Sequence, residues 1–285
     1  MAATERPEAG DGGPDESGYE LIQLRFMNMN ALKQNQSRVE TVEVSNADLK
    51  DSQFIRWRDR TIEGIVFDLD GTLIDSIQVY YEIFRETTAQ FGIQLKREGV
   101  FESIAMGSFV WDSAIPKDIP DRDDKIQKCR EMIPQVFKEA MQRVRPFPGV
   151  ESALKHFLEK GLQLGLATAS GREALQCLND RSMNRFFKAV VSREDGLPEK
   201  PSPALILECL KRMGVDPRNA IAVGDSPLDL RAGALGGLLT IGVLSGIGSR
   251  SLLEAENPAI IIDNVTQLPS ILDSEQLRGL HDPEE

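Results

Sequence analysis

The sequence is poor in histidine and cysteine. Its two histidines, His156 and His281, all but exclude a histidine triad or a metal site built from several imidazoles. Its three cysteines, Cys129, Cys177 and Cys209, are odd in number and far apart. Neither a disulfide framework nor a zinc spacing follows, and a reducing compartment is expected. No apolar run approaches the roughly 20 residues that cross a bilayer. The opening stretch MAATERPEAGDGGPDESGYE lacks the basic and apolar regions of a secretion signal, so a cytoplasmic location is expected. Positive charge is also short. Lys and Arg total 33 against 45 Asp and Glu, a formal net charge of −12. Nucleic acids and membrane surfaces both want a basic face, so neither is expected as a partner.

What is present divides the chain unevenly. A length of 285 residues suggests about two domains, or one with an insertion. Residues 1–18 are rich in Gly, Pro, Asp and Glu and are expected to be disordered. Residues 19–60 form an extension of unknown role, with weak alternating patterns at Ile22, Leu24 and Phe26 and at Val42 and Val44. From residue 62 onward short apolar runs recur: IEGIVF (62–67), LQLGLA (162–167), KAVVS (188–192), AIAV (220–223), LLTIGV (238–243) and AIII (259–262). Amphipathic stretches of helical length separate several of them. One is predicted over 204–213, with Ser202 as N-cap, Pro203 in the first turn and Gly214 as the stop. Strands without alternation, interleaved with helices, predict an α/β fold, a doubly wound parallel sheet covered on both faces.

A parallel crossover needs only about a dozen residues, yet residues 78–145 read as helix throughout. Tyr80, Ile83, Phe84, Thr87 and Phe91 mark one apolar face. Ile126, Cys129, Ile133, Val136, Phe137 and Ala140 mark another, which Pro134 is expected to kink or break. This stretch is read as a helical cap inserted into a core made of 61–77 and 146–275, with 276–285 as a tail.

Three of the runs end in polar residues: Asp68-Leu69-Asp70-Gly71-Thr72-Leu73, Thr168-Ala169-Ser170-Gly171, and Gly224-Asp225-Ser226-Pro227-Leu228-Asp229. Open parallel sheets bind ligands at the carboxyl ends of their strands, so these groups are expected to converge. Crowded carboxylates repel one another, and a divalent cation resolves the conflict. Magnesium takes one or two carboxylates and a phosphate oxygen. Thr168, Ser170 and Lys200 would hold the remaining phosphate oxygens, Lys200 lying just ahead of a helix N-terminus. The candidate metal residues are Asp68, Asp70, Asp225 and Asp229.

FDLDGTL at 67–73, the Thr168 and Ser170 turn, the Lys200-Pro201 pair and GDSPLD at 224–229 resemble the four ordered motifs of the haloacid dehalogenase superfamily. Within it the chain looks like the branch of phosphoglycolate phosphatases and beta-phosphoglucomutases, whose helical cap follows the first motif. The resemblance spans residues of about 62 to 273. It implies Asp68 as nucleophile through a phosphoaspartyl intermediate, and Asp70 as the acid and base that serves the leaving alcohol and then water. It implies Mg2+ held by Asp68, the Asp70 carbonyl and Asp225, with Asp229 assisting directly or through water. Thr168 and Lys200 would bind the phosphoryl group. Dehalogenases lack the second acid of the first motif, so Asp70 favours phosphate chemistry.

The expected function is therefore a magnesium-dependent phosphatase acting on a small phosphorylated metabolite, of the phosphoglycolate phosphatase type. The alternatives are a sugar phosphomutase and a non-catalytic phosphate- or sugar-sensing regulator. Ser108 and Trp111, which interrupt the cap helices, are read either as a substrate-facing loop or as a plain connection. Gly246 and Gly248 lack the spacing of a nucleotide loop and are read as a plain connection. His156 is expected at the surface or boundary. Neither the substrate nor the oligomeric state is legible.

Overall fold

The computed structural model describes residues 55–57, 60–105 and 110–279. The stretch 1–18, the patterns at 22–26 and 42–44, and Ser108 lie outside them. Every apolar run after residue 62 contains a strand: β3 (Gly64–Phe67), β4 (Gln163–Ala167), β5 (Ala189–Val191), β6 (Ala220–Gly224), β7 (Leu239–Val243) and β8 (Ile260–Ile262). They form one parallel sheet in the order β5-β4-β3-β6-β7-β8. Alternate residues of β3 enter different cores. Ile65 and Phe67 join Leu164, Leu166, Ile221 and Val223 on one face. Val66 joins Ala167, Ala222 and Leu205 on the other. Two apolar faces demand two helical layers, and this is the doubly wound arrangement the runs predict.

Four helices lie between β3 and β4: α1 (Ile77–Ala89), α2 (Arg97–Ala105), α3 (Val110–Ser113) and α4 (Arg122–Met141). Tyr80, Ile83, Phe84 and Thr87 are buried on α1, and Ile126, Cys129, Ile133, Phe137 and Ala140 on α4. The rings of Tyr80 and Phe137 stack with centroids 5.8 Å apart. The expected break at Pro134 does not occur, for α4 runs unbroken through it. A proline inside a helix costs about 3 kcal/mol. Burying Ile126, Ile133 and Phe137 contributes about 1.5–3 kcal/mol each, so packing prevails.

The chain enters and leaves these helices side by side. The Asp75 amide donates to the Arg145 carbonyl at 2.9 Å, the Phe147 amide to the Leu73 carbonyl at 3.0 Å, and Ile74 bridges Pro146.

The remaining helices are α5 (Val150–Glu159), α6 (Arg172–Asn179), α7 (Ala204–Met213), α8 (Pro227–Leu235), α9 (Arg250–Glu254) and α10 (Leu268–Gly279). Helix α7 has its expected span and stop at Gly214, but its cap is Pro203, one residue beyond the expected Ser202. The Ser202 hydroxyl instead accepts the Ala204 amide at 3.3 Å. Helix α10 continues to Gly279, into the stretch expected as a tail. Ahead of the sheet, β1 (Ile55–Trp57) and β2 (Arg60–Ile62) form an antiparallel hairpin. It buries Ile55, Trp57 and Ile62 in the cluster that also holds Leu272 of α10. The end of the extension thus completes one face of the core. His156 is partly exposed and pairs with Asp273 across 3.2 Å. Among the described residues no helix is long and apolar enough to cross a membrane.

Candidate active site

Asp68, Thr168 and Asp225 each follow the last residue of a parallel strand, and the Asp68 and Thr168 amides continue the ladder onto the carbonyls of Val223 and Val191. Parallel strands in register therefore bring the three turns to one edge. Asp68, Asp225 and Asp229 each place a carboxylate oxygen within 4.8 Å of the others. Lys200 is almost fully buried among them. Its ammonium donates to Asp68 Oδ1 and to Asp229 Oδ1, both at 2.6 Å.

The electrostatics follow from this crowding. Burial pushes the Asp68 carboxyl up to about 7, and the neighbouring Asp229 and Asp70 add to that, while Lys200 pulls in the opposite direction. Asp225 is raised well above the usual carboxylate range, first by burial and then by Asp229 and Asp68. Burial works against the charge on Lys200, but Asp229 and Asp68 together outweigh it and hold the ammonium above its ordinary value. Such an array wants additional positive charge.

Asp229 and Thr168 are each fixed by their own turns. Ser226 and Asp229 form a capping box at the start of α8. The Ser226 hydroxyl accepts the Asp229 amide at 3.3 Å and donates to Asp229 Oδ2 at 2.5 Å. Asp229 is thus locked by its own helix and still presents Oδ1 to Lys200. The Ser170 amide donates to Thr168 Oγ1 at 3.0 Å, orienting that hydroxyl.

Asp70 is held differently. Ser76 donates to its Oδ1 at 2.6 Å, Tyr80 donates to the same oxygen, and Ser170 donates to Oδ2. Ser76 and Tyr80 belong to the start of α1, so the inserted helices reach into the site through this carboxylate. Burial and the adjacent Asp70 push the Tyr80 phenol well above its ordinary value. Ser170, expected as a phosphate ligand, is engaged by Asp70.

The stretch 245–248, expected to be a plain connection, closes over Asp225. The Ile247 amide donates to Asp225 Oδ2 at 2.8 Å, and the Gly248 amide to the Asp225 carbonyl at 2.9 Å. Ser245 Oγ donates to the Gly71 carbonyl at 2.7 Å, and Thr72 Oγ1 to Asp225 Oδ1 at 3.3 Å. Gly246 permits this approach, because a Cβ there would lie 1.8 Å from Asp225 Oδ2. Gly246→Ala is therefore expected to displace Asp225 and destabilise the fold by about 1–3 kcal/mol. Gly99→Ala, where an added methyl meets nothing within 4 Å, is the control. Equal urea midpoints for the two variants would refute the packing argument.

Trp111 is not brought to the cleft. It is 1% exposed, its ring meets Phe84 edge-on with centroids 5.2 Å apart, and its carbonyl accepts Arg122 Nη2 at 2.5 Å. Aromatic bulk draws it into the packing of the inserted helices. The cleft is lined instead by Ile77, Tyr80, Ile104 and Ile247, beside its polar residues. None of these was singled out by the sequence for that role. Tyr80 was visible only as one member of an apolar stripe.

All the donors at the acidic cluster are hard carboxylate oxygens, a set that suits magnesium.

Comparison with known proteins agrees with this geometry. The family model of haloacid dehalogenase-like hydrolases matches residues 65–243. The chain is 30% identical over 216 residues to pyrophosphatase PpaX of Bacillus velezensis, covering 74% of this chain and 96% of that one. It is 27% identical over 216 residues to phosphoglycolate phosphatase of Pseudomonas savastanoi, covering 73% of this chain and 79% of that one. Among solved structures, beta-phosphoglucomutase of Clostridium difficile superposes with a TM-score of 0.60 at 19% identity, covering 78% of this chain and 100% of that one. A haloacid dehalogenase-like family protein of Streptococcus pneumoniae gives 0.59 at 22% identity, covering 74% and 98%. With its strand order, its four clustered motifs and a family match over most of its length, the chain is an enzyme of the haloacid dehalogenase-like hydrolase family.

Proposed function

We propose that the chain is a magnesium-dependent phosphatase that hydrolyses small phosphomonoesters through a phosphoaspartyl intermediate. The observation that carries this reading is the division of labour between the two carboxylates of the first motif. Asp68 is pinned through Oδ1 to Lys200, and its Oδ2 has no hydrogen bond among the described residues, which leaves that oxygen to attack phosphorus. Asp70 is held by three hydroxyls, those of Ser76, Tyr80 and Ser170.

Asp68 Oδ2 forms the new P–O bond while the ester P–O bond breaks, and Asp70 delivers a proton to the departing alkoxide. Asp70 then takes a proton from water as that water attacks phosphorus, and the Asp68 carboxylate is released. Lys200 and the Thr168 hydroxyl steady the phosphoryl oxygens throughout. Asp68, Asp225 and Asp229, with the Asp70 carbonyl, would hold Mg2+, which supplies charge neutralisation at the transferring group. A phosphomutase shares these residues but must keep water from the phosphoaspartate. A regulator without catalysis has no use for Asp70.

The test is release of inorganic phosphate from an aryl phosphate with magnesium and no bisphosphate present. Turnover that stops with chelator and returns with magnesium is expected; its absence would overturn the reading. A second measurement needs no turnover. Burial raises Asp68 from 3.8 to about 7, so the folded state keeps a proton that the unfolded chain has released. Without metal, stability should therefore fall as the pH climbs from about 4 to about 7. Magnesium should raise the melting temperature more at pH 7.5 than at pH 5, since protonated carboxyls bind it poorly. An equal shift at both would refute the assigned ligands.

A further inference from the structure

The acidic floor and the roof of the cleft differ sharply in chemistry. Four carboxylates, Asp68, Asp70, Asp225 and Asp229, line the cleft. The ammonium of Lys200 is already committed to two of them. The large aliphatic side chains of the lining, its roof, are Ile77 of α1, Ile104 of α2 and Ile247. Tyr80 adds a ring, but its hydroxyl is spent on Asp70. No Lys or Arg belongs to the lining among the described residues. Arg172 follows Ser170 by two residues, yet it is exposed and stands outside the lining.

We propose that the substrate is a phosphomonoester whose leaving group is an uncharged alcohol, with no second carboxylate or phosphate. This rests on the phosphatase reading and narrows it. The phosphoryl group takes the cationic resources of the floor, and the rest of the molecule projects toward the roof. An anion there would lose its water against three isoleucines and gain no counter-charge from the described lining. A neutral alcohol carbon skeleton meets an apolar surface of its own kind. Phosphoglycolate and pyrophosphate, after which relatives are named, carry an anion at both ends. Among the described residues the roof offers the second anion no partner.

The experiment compares kcat/KM, with magnesium at pH 7.5, for glycerol 2-phosphate, phosphoglycolate and pyrophosphate, with an aryl phosphate as reference. The neutral-alcohol ester should exceed both doubly anionic substrates by at least about tenfold. Placing a cation in the roof should reverse this. Ile104→Arg is expected to raise the ratio of phosphoglycolate to glycerol 2-phosphate by at least about tenfold, and Ile247→Lys serves where the first variant does not fold. Wild-type preference for phosphoglycolate or pyrophosphate overturns the proposal, as does an unchanged ratio in both variants. If no ester is turned over, the aryl phosphate included, the phosphatase reading itself falls, an outcome distinct from a wrong preference among esters that are hydrolysed.

Discussion

Asp68→Asn is expected to reduce phosphate release by at least on the order of 10⁴-fold, because an amide oxygen neither attacks phosphorus nor balances a metal charge. The fold should survive. Asp68 is buried, and its carboxyl is held up near 7 by burial and by Asp229 and Asp70. A neutral amide of the same shape removes a group that resists ionising there. At pH 7.5 without metal, the variant should melt no lower than the wild type and should lose the decline in stability that Asp68 causes between about pH 4 and pH 7. Phosphate release and melting temperature, read on the same samples, check both halves. Activity within tenfold of the wild type would remove Asp68 from the nucleophile's role.

Lys200→Ala should give the largest loss of stability. Its side chain is 2% exposed and makes two ion pairs of 2.6 Å. Truncation strands Asp68 and Asp229 in a buried site with no positive partner. Breaking a buried pair in this way costs about 3–5 kcal/mol, a large fraction of the stability of an ordinary domain. Lys200→Met keeps the volume and isolates the loss of charge. Adding Asp68→Asn to it should recover part of the stability, since one of the stranded carboxylates is then neutral. Catalysis should fall by about 10²–10³-fold for every ester alike if, as proposed, Lys200 meets the phosphoryl group common to all. Urea midpoints give the first effect and kcat/KM across several esters the second. A stability loss under 1 kcal/mol, or a loss of rate confined to some esters, would place Lys200 elsewhere in the mechanism.

The strands and the acidic turns were legible because their signals are local. IEGIVF followed by DLDGTL states both a buried strand and the polar turn that ends it. The same is true of AIAV before GDSPLD. What escaped was carried by groups without a residue-type signature. The Ile247 amide holds Asp225, but every residue except proline has an amide, so only Gly246 and Gly248 marked the place. The nucleotide-loop template was the wrong one for them, since Gly246 makes room for the Asp225 carboxylate and Gly248 for its backbone carbonyl. Tyr80 was read as apolar because its ring does pack in the α1 stripe; its hydroxyl, at the far end, serves the site. Trp111 was selected for its position between helices, but a large aromatic residue between helices has strong reason to be buried there. At Pro134 the helix is not broken, because packing on either side carries it through. The hairpin of Ile55–Trp57 and Arg60–Ile62 is too short to show a period.

The two crossings between the core and the inserted helices run side by side, joined by the Asp75–Arg145 and Phe147–Leu73 hydrogen bonds. In mechanical terms this joint is a flexure. A paired ribbon bends across its thin direction but resists shear and twist within its own plane, because sliding would break those bonds. Asp70 bridges Ile74 on that ribbon and is gripped by Ser76 and Tyr80 just past it. Any flexing that lifts α1 from the cleft pulls on the grip that holds this carboxylate. If Asp70 is the proton donor, as proposed, then the carboxylate that gives the proton is positioned by the same helix that covers it, and lifting α1 would release it from Ser76 and Tyr80.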